Sequence, residues 1–141
     1  MINLYDKNNG VLAILEDEWP QIYLIEDYLN ENLPGFEWTI SRAGDEFEEK
    51  FDATIPPPRL SILDVLTPPP NGVDVLAWLK LYHPECVVVM FSTSVLEREE
   101  CLQLGADGYY IKPESPSLVG PTLVEIIERH YPCGDEEDGY Y

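Results

Sequence analysis

Five short apolar runs punctuate the chain, and four of them stop abruptly at charged or hydroxyl residues. VLAIL at 11–15 ends at Glu16, Asp17 and Glu18, LSIL at 60–63 at Asp64, CVVVMF at 86–91 at Ser92, Thr93 and Ser94, and GYYI at 108–111 at Lys112. The fifth, FEWTI at 36–40, alternates apolar and polar positions as a half-buried strand does. Continuous runs such as CVVVMF suit strands of a parallel sheet covered on both faces.

Between the runs the apolar period lengthens to that of a helix. Ile22, Ile25 and Leu29 recur after Trp19-Pro20 and stop at Pro34-Gly35, and Phe47 and Phe51 lie four apart in GDEFEEKFDA. Val75, Leu76, Leu79 and Tyr82 follow the proline-rich turn at 68–72. Ser94 with Glu97 reads as a capping box for a fourth helix that Gly105 would end. Leu123, Ile126, Ile127 and His130 mark the last helix, whose start lies between Pro116 and Pro121. Five strands alternating with five helices predict a three-layer α/β sandwich around a parallel sheet, where functional groups collect beyond the carboxyl ends of the strands.

A chain of 141 residues fits one domain. The pattern places it at 11–131, after an N-terminal extension at 1–10 and before an acidic tail at 132–141 whose composition predicts disorder. No run approaches the roughly 20 apolar residues that cross a bilayer, and the N-terminus lacks the order of a signal peptide. The expectation is a cytoplasmic protein without membrane association. Cys86, Cys101 and Cys133 lack metal-ligand spacing and read as free thiols, the first two in the core. With 27 acidic against 8 basic residues the net charge is −19, which argues against a nucleic-acid partner and chiefly sets surface solvation.

The strand ends would bring Glu16, Asp17, Asp64, Ser92 and Lys112 to one rim. Three carboxylates gathered there repel one another and are driven toward protonation unless a cation compensates, and a hard divalent ion with oxygen ligands is a natural compensator. A lysine and a hydroxyl beside them supply what a phosphoryl group needs, a point charge for one oxygen and a hydrogen-bond donor for another. One carboxylate would then be the nucleophile. Asp64 is the choice, because its strand should lie between those carrying the acidic pair and the hydroxyl. Taken alone, Asp64 would read as a strand-end cap or solvated turn residue; Glu18 reads as a helix-start acid, and His83 and His130 as helix-end residues facing the dipole.

The residues LEDE at 15–18, ILDVLTP at 62–68 with Gly72, VVVMFST at 87–93 and GADGYYIKP at 105–113 resemble the receiver domains of two-component response regulators over about residues 11 to 130. The resemblance implies a flavodoxin-like, five-stranded sheet in strand order 2-1-3-4-5. It also implies that Asp64 is phosphorylated by a sensor histidine kinase or a histidine phosphotransfer protein. Mg²⁺, with Mn²⁺ as a substitute, would be held by Asp17, Asp64, the Leu66 backbone carbonyl and, through water, Glu16. Lys112 would contact the acyl phosphate, Ser92 would be the switch hydroxyl with Thr93 as its rival, and Tyr109 the rotating aromatic; the Lys112-Pro113 bond would be cis. The stretch from Ser92 to Lys112 is about two residues shorter than the family leads one to expect, which predicts a trimmed fourth helix or leading loop. Leu66, apolar beside the attack path of water, predicts slow self-dephosphorylation.

The resulting expectation is a single-domain regulator, monomeric or weakly dimeric, that signals to an unidentified protein target and is a phosphoacceptor rather than a turnover enzyme. A Mg²⁺-dependent phosphohydrolase of the haloacid-dehalogenase type is the rival enzyme class. Its general acid and base would fall two residues after the nucleophile, where Leu66 cannot carry a proton. A degenerate receiver that only binds partners is the third reading, and the complete set of rim residues argues against it.

Overall fold

The computed structural model of the protein describes residues 11–52 and 57–132. The extension at 1–10, Cys133 and nearly all of the acidic tail lie outside the described residues. Five parallel strands, β1 (Leu12–Leu15), β2 (Trp38–Ser41), β3 (Leu60–Leu63), β4 (Val87–Ser92) and β5 (Gly108–Ile111), form one sheet in the order β2-β1-β3-β4-β5. The helices are α1 (Trp19–Asn32), α2 (Gly44–Lys50), α3 (Gly72–Tyr82), α4 (Arg98–Gln103) and α5 (Val119–His130), the last led in by a 3₁₀ turn at Pro116–Leu118.

Alternation along the strands divides the interior into two cores. Leu12 and Ile14 join Ile62, Val89 and Phe91 against Ile25 and Leu29 of α1 and Leu123 and Ile127 of α5. Ala13 and Leu15 join Leu63, Val88 and Met90 against Phe47, Val75, Leu76, Leu79 and Cys101. Successive side chains point to opposite faces, so a strand covered on both sides is apolar at nearly every position. This is why β1 and β4 read as apolar runs, while β3 carries one buried hydroxyl, Ser61, which pairs with Cys86 Sγ at 3.4 Å. Tyr109 and Tyr110 likewise part company, the first packing toward the second core and the second toward the first.

The helix signals held with local differences. Pro20 occupies the first turn of α1, where its missing N–H costs no intrahelical bond. Pro121 is the third residue of α5 and is tolerated for the same reason, which resolves the start of that helix to Val119 after the 3₁₀ turn. Gly105 ends the α4 segment with φ +106°, a conformation that favours glycine. The Ser94–Glu97 pair does not form a reciprocal box: Ser94 Oγ accepts from the Leu96 N–H at 3.2 Å and donates to Glu97 Oε1 at 2.7 Å, so the side chains engage each other. Accordingly α4 begins only at Arg98 and runs six residues. The reciprocal box is instead at α3, where Asn71 Oδ1 accepts from the Asp74 N–H and Asp74 Oδ2 from the Asn71 N–H, both at 3.0 Å.

Two further expectations change. The cis peptide bond among the described residues is Pro69–Pro70, and Lys112-Pro113 is not cis. Both are X-Pro bonds, for which trans is preferred by only about 0.5–1 kcal/mol, so sequence alone does not choose between them. The histidines have specific partners beyond the helix dipole. His83 Nε2 donates to the Phe51 carbonyl at 2.8 Å, tying the end of α3 to that of α2, and His130 Nε2 pairs with the Tyr110 hydroxyl at 2.6 Å. No helix among the described residues is long and apolar enough to cross a membrane.

Candidate functional site

The ladder of the sheet continues one residue past several strands, and this delivers the rim side chains in register. Leu15 of β1 lies opposite Leu63 of β3, and the Asp64 N–H donates to the Leu15 carbonyl at 3.0 Å. The Glu16 N–H donates to Ser41 at 2.9 Å, and the Lys112 N–H to Ser92 at 2.8 Å. The backbone of each residue is therefore held by its neighbour strand before its side chain does anything. The rim lies at the switch point of the sheet, where β1 connects outward to β2 on one side and β3 to β4 on the other, the crevice that open α/β sheets offer to ligands.

Gly72 shows why the turn after β3 needs glycine. A Cβ there would stand 2.0 Å from the Asp64 carbonyl oxygen, and the Gly72 N–H donates to the Val65 carbonyl at 3.1 Å. The start of α3 is thus packed directly under the aspartate's backbone.

At the centre, Lys112 Nζ donates to Glu16 Oε1 at 2.6 Å and to Asp64 Oδ2 at 3.2 Å. All three side chains are buried. Glu16 Oε2 also accepts from the Glu18 N–H at 3.2 Å, and Asp64 Oδ1 from the Leu66 N–H at 3.3 Å. One ammonium faces two carboxylates, with Asp17 nearby as a third. Burial pushes the Glu16 carboxyl above its ordinary range against the opposing pull of Lys112. Burial alone would lower the Lys112 pKa, but Asp64 and Glu16 outweigh it and the net shift is upward. One oxygen from each of Glu16, Asp17 and Asp64 lies within 4.8 Å of the others, close enough to share a cation.

A recess of about 120 Å³ opens over this cluster, lined by Asp17, Glu18, Asp64, Leu66, Thr93 and Lys112. The two candidate hydroxyls are placed differently. Thr93 is exposed and lines the recess, whereas Ser92 is fully buried and its Oγ accepts from the Ser94 N–H at 3.2 Å. Tyr109 donates from its hydroxyl to the Ser94 carbonyl in a short contact. Ser94, which the sequence offered only as a helix cap, therefore holds Ser92 through its N–H and Tyr109 through its carbonyl. Its only sequence signal was its position directly after the hydroxyl pair.

No model of a known protein family matches the chain. The transcriptional regulatory protein CpxR of Escherichia coli (strain K12) is 30% identical over 121 residues, 85% of this chain and 50% of that protein. The chain thus spans about half the length of the curated relatives it matches. The phosphorylated cyanobacterial phytochrome response regulator RcpA matches in structure with a TM-score of 0.74 and 25% identity, over 84% of this chain and 91% of that one. The Mn²⁺-bound response regulator Rcp1 matches with a TM-score of 0.71 and 23% identity, over 84% and 92%.

Strand order and structural likeness together define the class, a receiver domain of CheY-like fold. The proteins that share this domain with the chain, in sequence and in structure, are response regulators, and the part of them that it matches is the receiver domain.

Proposed function

We propose that Asp64 accepts a phosphoryl group from a phosphohistidine of a sensor kinase or phosphotransfer protein, and that the chain passes the signal on through protein contacts. The observation that supports this most is the buried Lys112 held between Glu16 and Asp64 beneath a recess open to solvent. In the transfer, an Asp64 carboxylate oxygen forms a bond to phosphorus as the phosphorus–nitrogen bond breaks, and the imidazole leaves with that electron pair. Lys112, already in contact with Asp64 Oδ2, is placed to follow the charge onto the phosphoryl oxygens.

The donor set fits Mg²⁺ or Mn²⁺: oxygen ligands only, with more acid than Lys112 can neutralise. Asp17, Asp64 and the Leu66 carbonyl would hold the ion, with Glu16 acting through water. When bound, the ion supplies positive charge for the phosphoryl oxygens. Ser92 is the switch hydroxyl on this reading. Turning its Oγ toward the phosphoryl group would release the Ser94 N–H and loosen the residue whose carbonyl holds Tyr109. Thr93, which already lines the recess, is the rival.

Incubation with acetyl phosphate and Mg²⁺ followed by intact mass tests the reading. One added phosphoryl group that is absent from Asp64→Asn supports it. An adduct undiminished in Asp64→Asn would sink it, as would steady turnover of phosphate esters. A Tyr109 environment, followed by its ring resonances, that responds to phosphorylation in Thr93→Ala but not in Ser92→Ala would separate the two hydroxyls.

A further inference from the structure

Ser94 stands where four hydrogen bonds meet, and one of them leads away from the site. Its N–H donates to Ser92 Oγ at 3.2 Å, its carbonyl accepts from the Tyr109 hydroxyl, and its Oγ accepts from the Leu96 N–H at 3.2 Å. The fourth runs from Ser94 Oγ to Glu97 Oε1 at 2.7 Å. A hydroxyl has one proton to give, so this bond fixes the Ser94 rotor and leaves its lone pairs for Leu96. Glu97 is itself fixed to α4, because its carbonyl accepts from the Cys101 N–H at 2.9 Å. The half-buried Glu97 side chain thus reaches back from the start of the helix to the residue that holds both switch groups.

We propose that Glu97 is a positioning residue for the switch: its grip on the Ser94 hydroxyl keeps the Ser94 backbone where it can hold Ser92 and Tyr109 together. A hydrogen bond to a carboxylate is among the stronger ones, so its loss should shift the balance between held and free Tyr109 by roughly tenfold. Glu97 also acts on the phenol through space. Burial first, then Cys101 and Glu97, raise the Tyr109 pKa above its ordinary value, with the hydrogen bond to Ser92 opposing. Glu99 and Glu100 lie exposed further along and cannot share the role, since the single Ser94 proton is already given to Glu97. A displacement of the helix start would therefore free Ser92 and Tyr109 with no change at Asp64. The hold on Tyr109 stands without a phosphoryl group; its meaning for signalling rests on the switch reading above.

The test follows the Tyr109 ring resonances of the full chain by ¹H–¹³C NMR, first without phosphodonor. Glu97→Ala is expected to shift them, and Ser94→Ala to shift them to the same place. Glu97→Gln keeps a carbonyl oxygen to accept from Ser94 and should restore the parent positions. Glu100→Ala, which removes a neighbouring charge, should leave them unmoved. The double variant Ser94→Ala/Glu97→Ala should match either single one, because both remove the same bond. The proposal is overturned if Glu97→Ala leaves Tyr109 unmoved, if Glu97→Gln or Glu100→Ala moves it as far, or if the two alanine effects add. None of these outcomes requires Asp64 to accept a phosphoryl group. With acetyl phosphate and Mg²⁺, the further response of Tyr109 should be smaller in Glu97→Ala than in the parent, and an undiminished response would also overturn the proposal. A parent that gives no response counts against the reading of Asp64 instead, and the measurements without phosphodonor still decide the role of Glu97.

Discussion

Two lysine–aspartate pairs of almost equal length do opposite work in this molecule. Lys80 Nζ stands 3.1 Å from Asp107 Oδ2, and Lys112 Nζ 3.2 Å from Asp64 Oδ2. The Lys80 pair is part-exposed, balanced one charge to one, and completed by the backbone. Lys80 also donates to the Cys86 carbonyl, and Asp107 accepts from the Val88 N–H. The Lys112 pair is buried, carries a surplus of acid, and opens onto a recess. Distance does not distinguish a structural ion pair from a candidate reactive one. Burial and unbalanced charge do, because a desolvated excess of carboxylate can be relieved by a bound cation or an incoming positive group.

The largest expected effect is at the buried pair. Lys112→Met leaves two carboxylates desolvated without their cation, and should lower unfolding free energy in urea at neutral pH by about 3–5 kcal/mol. A variant as stable as the parent would mean that the lysine is not neutralising the cluster. Next is Gly72→Ala, whose Cβ must displace the Asp64 carbonyl or the start of α3. A loss of about 1–3 kcal/mol is expected, with altered amide shifts at Asp64 and Val65. Lys80→Met, at the pair of matching length, should cost only about 0–1 kcal/mol, and raising the salt concentration should narrow its gap from the parent. An equal cost for the two lysines would break the contrast.

The smallest effect is a pH dependence far from the rim. Burial first, and then the charge of Arg129, hold the His130 pKa below its ordinary value, with Asp107 opposing. The native state therefore resists a proton that the unfolded chain accepts. This contribution to stability is complete above about pH 6.5 and is lost as the pH falls through that value toward the native pKa. An imidazole NMR titration should give a midpoint below that of a free histidine, moving upward in Arg129→Gln. A midpoint above it would reverse the assignment.

Much of this was legible in the chain because parallel strands covered on both faces are apolar at nearly every position, and the buried Ser61 of β3 is small and partnered. The first polar residue after such a run is then at the rim. That logic brought Glu16, Asp17, Asp64, Ser92 and Lys112 together without coordinates, and the sheet places them at adjoining strand ends. What stayed hidden depends on which partner a polar group selects. Ser94 engages Glu97 and Leu96 instead of closing a helix box, Asn71 caps α3 immediately after three prolines, and His83 reaches across to Phe51. Each involves contacts that periodicity does not encode. The choice of Pro70 over Pro113 for the cis bond is of the same kind. Whether Ser92 or Thr93 faces the site turns on one residue of register at the end of β4, where the strand runs one position further than its apolar run.

The central claim is that the acid-rich, buried end of this contrast exists to carry a phosphoryl group on Asp64. Borohydride reduction of the protein after treatment with acetyl phosphate and Mg²⁺, followed by peptide mapping, addresses it most directly, because an acyl phosphate is reduced at the residue that bears it. The account predicts conversion of position 64 to homoserine, dependent on both phosphodonor and divalent ion. Reduction at another residue, or at position 64 without phosphodonor, would contradict it.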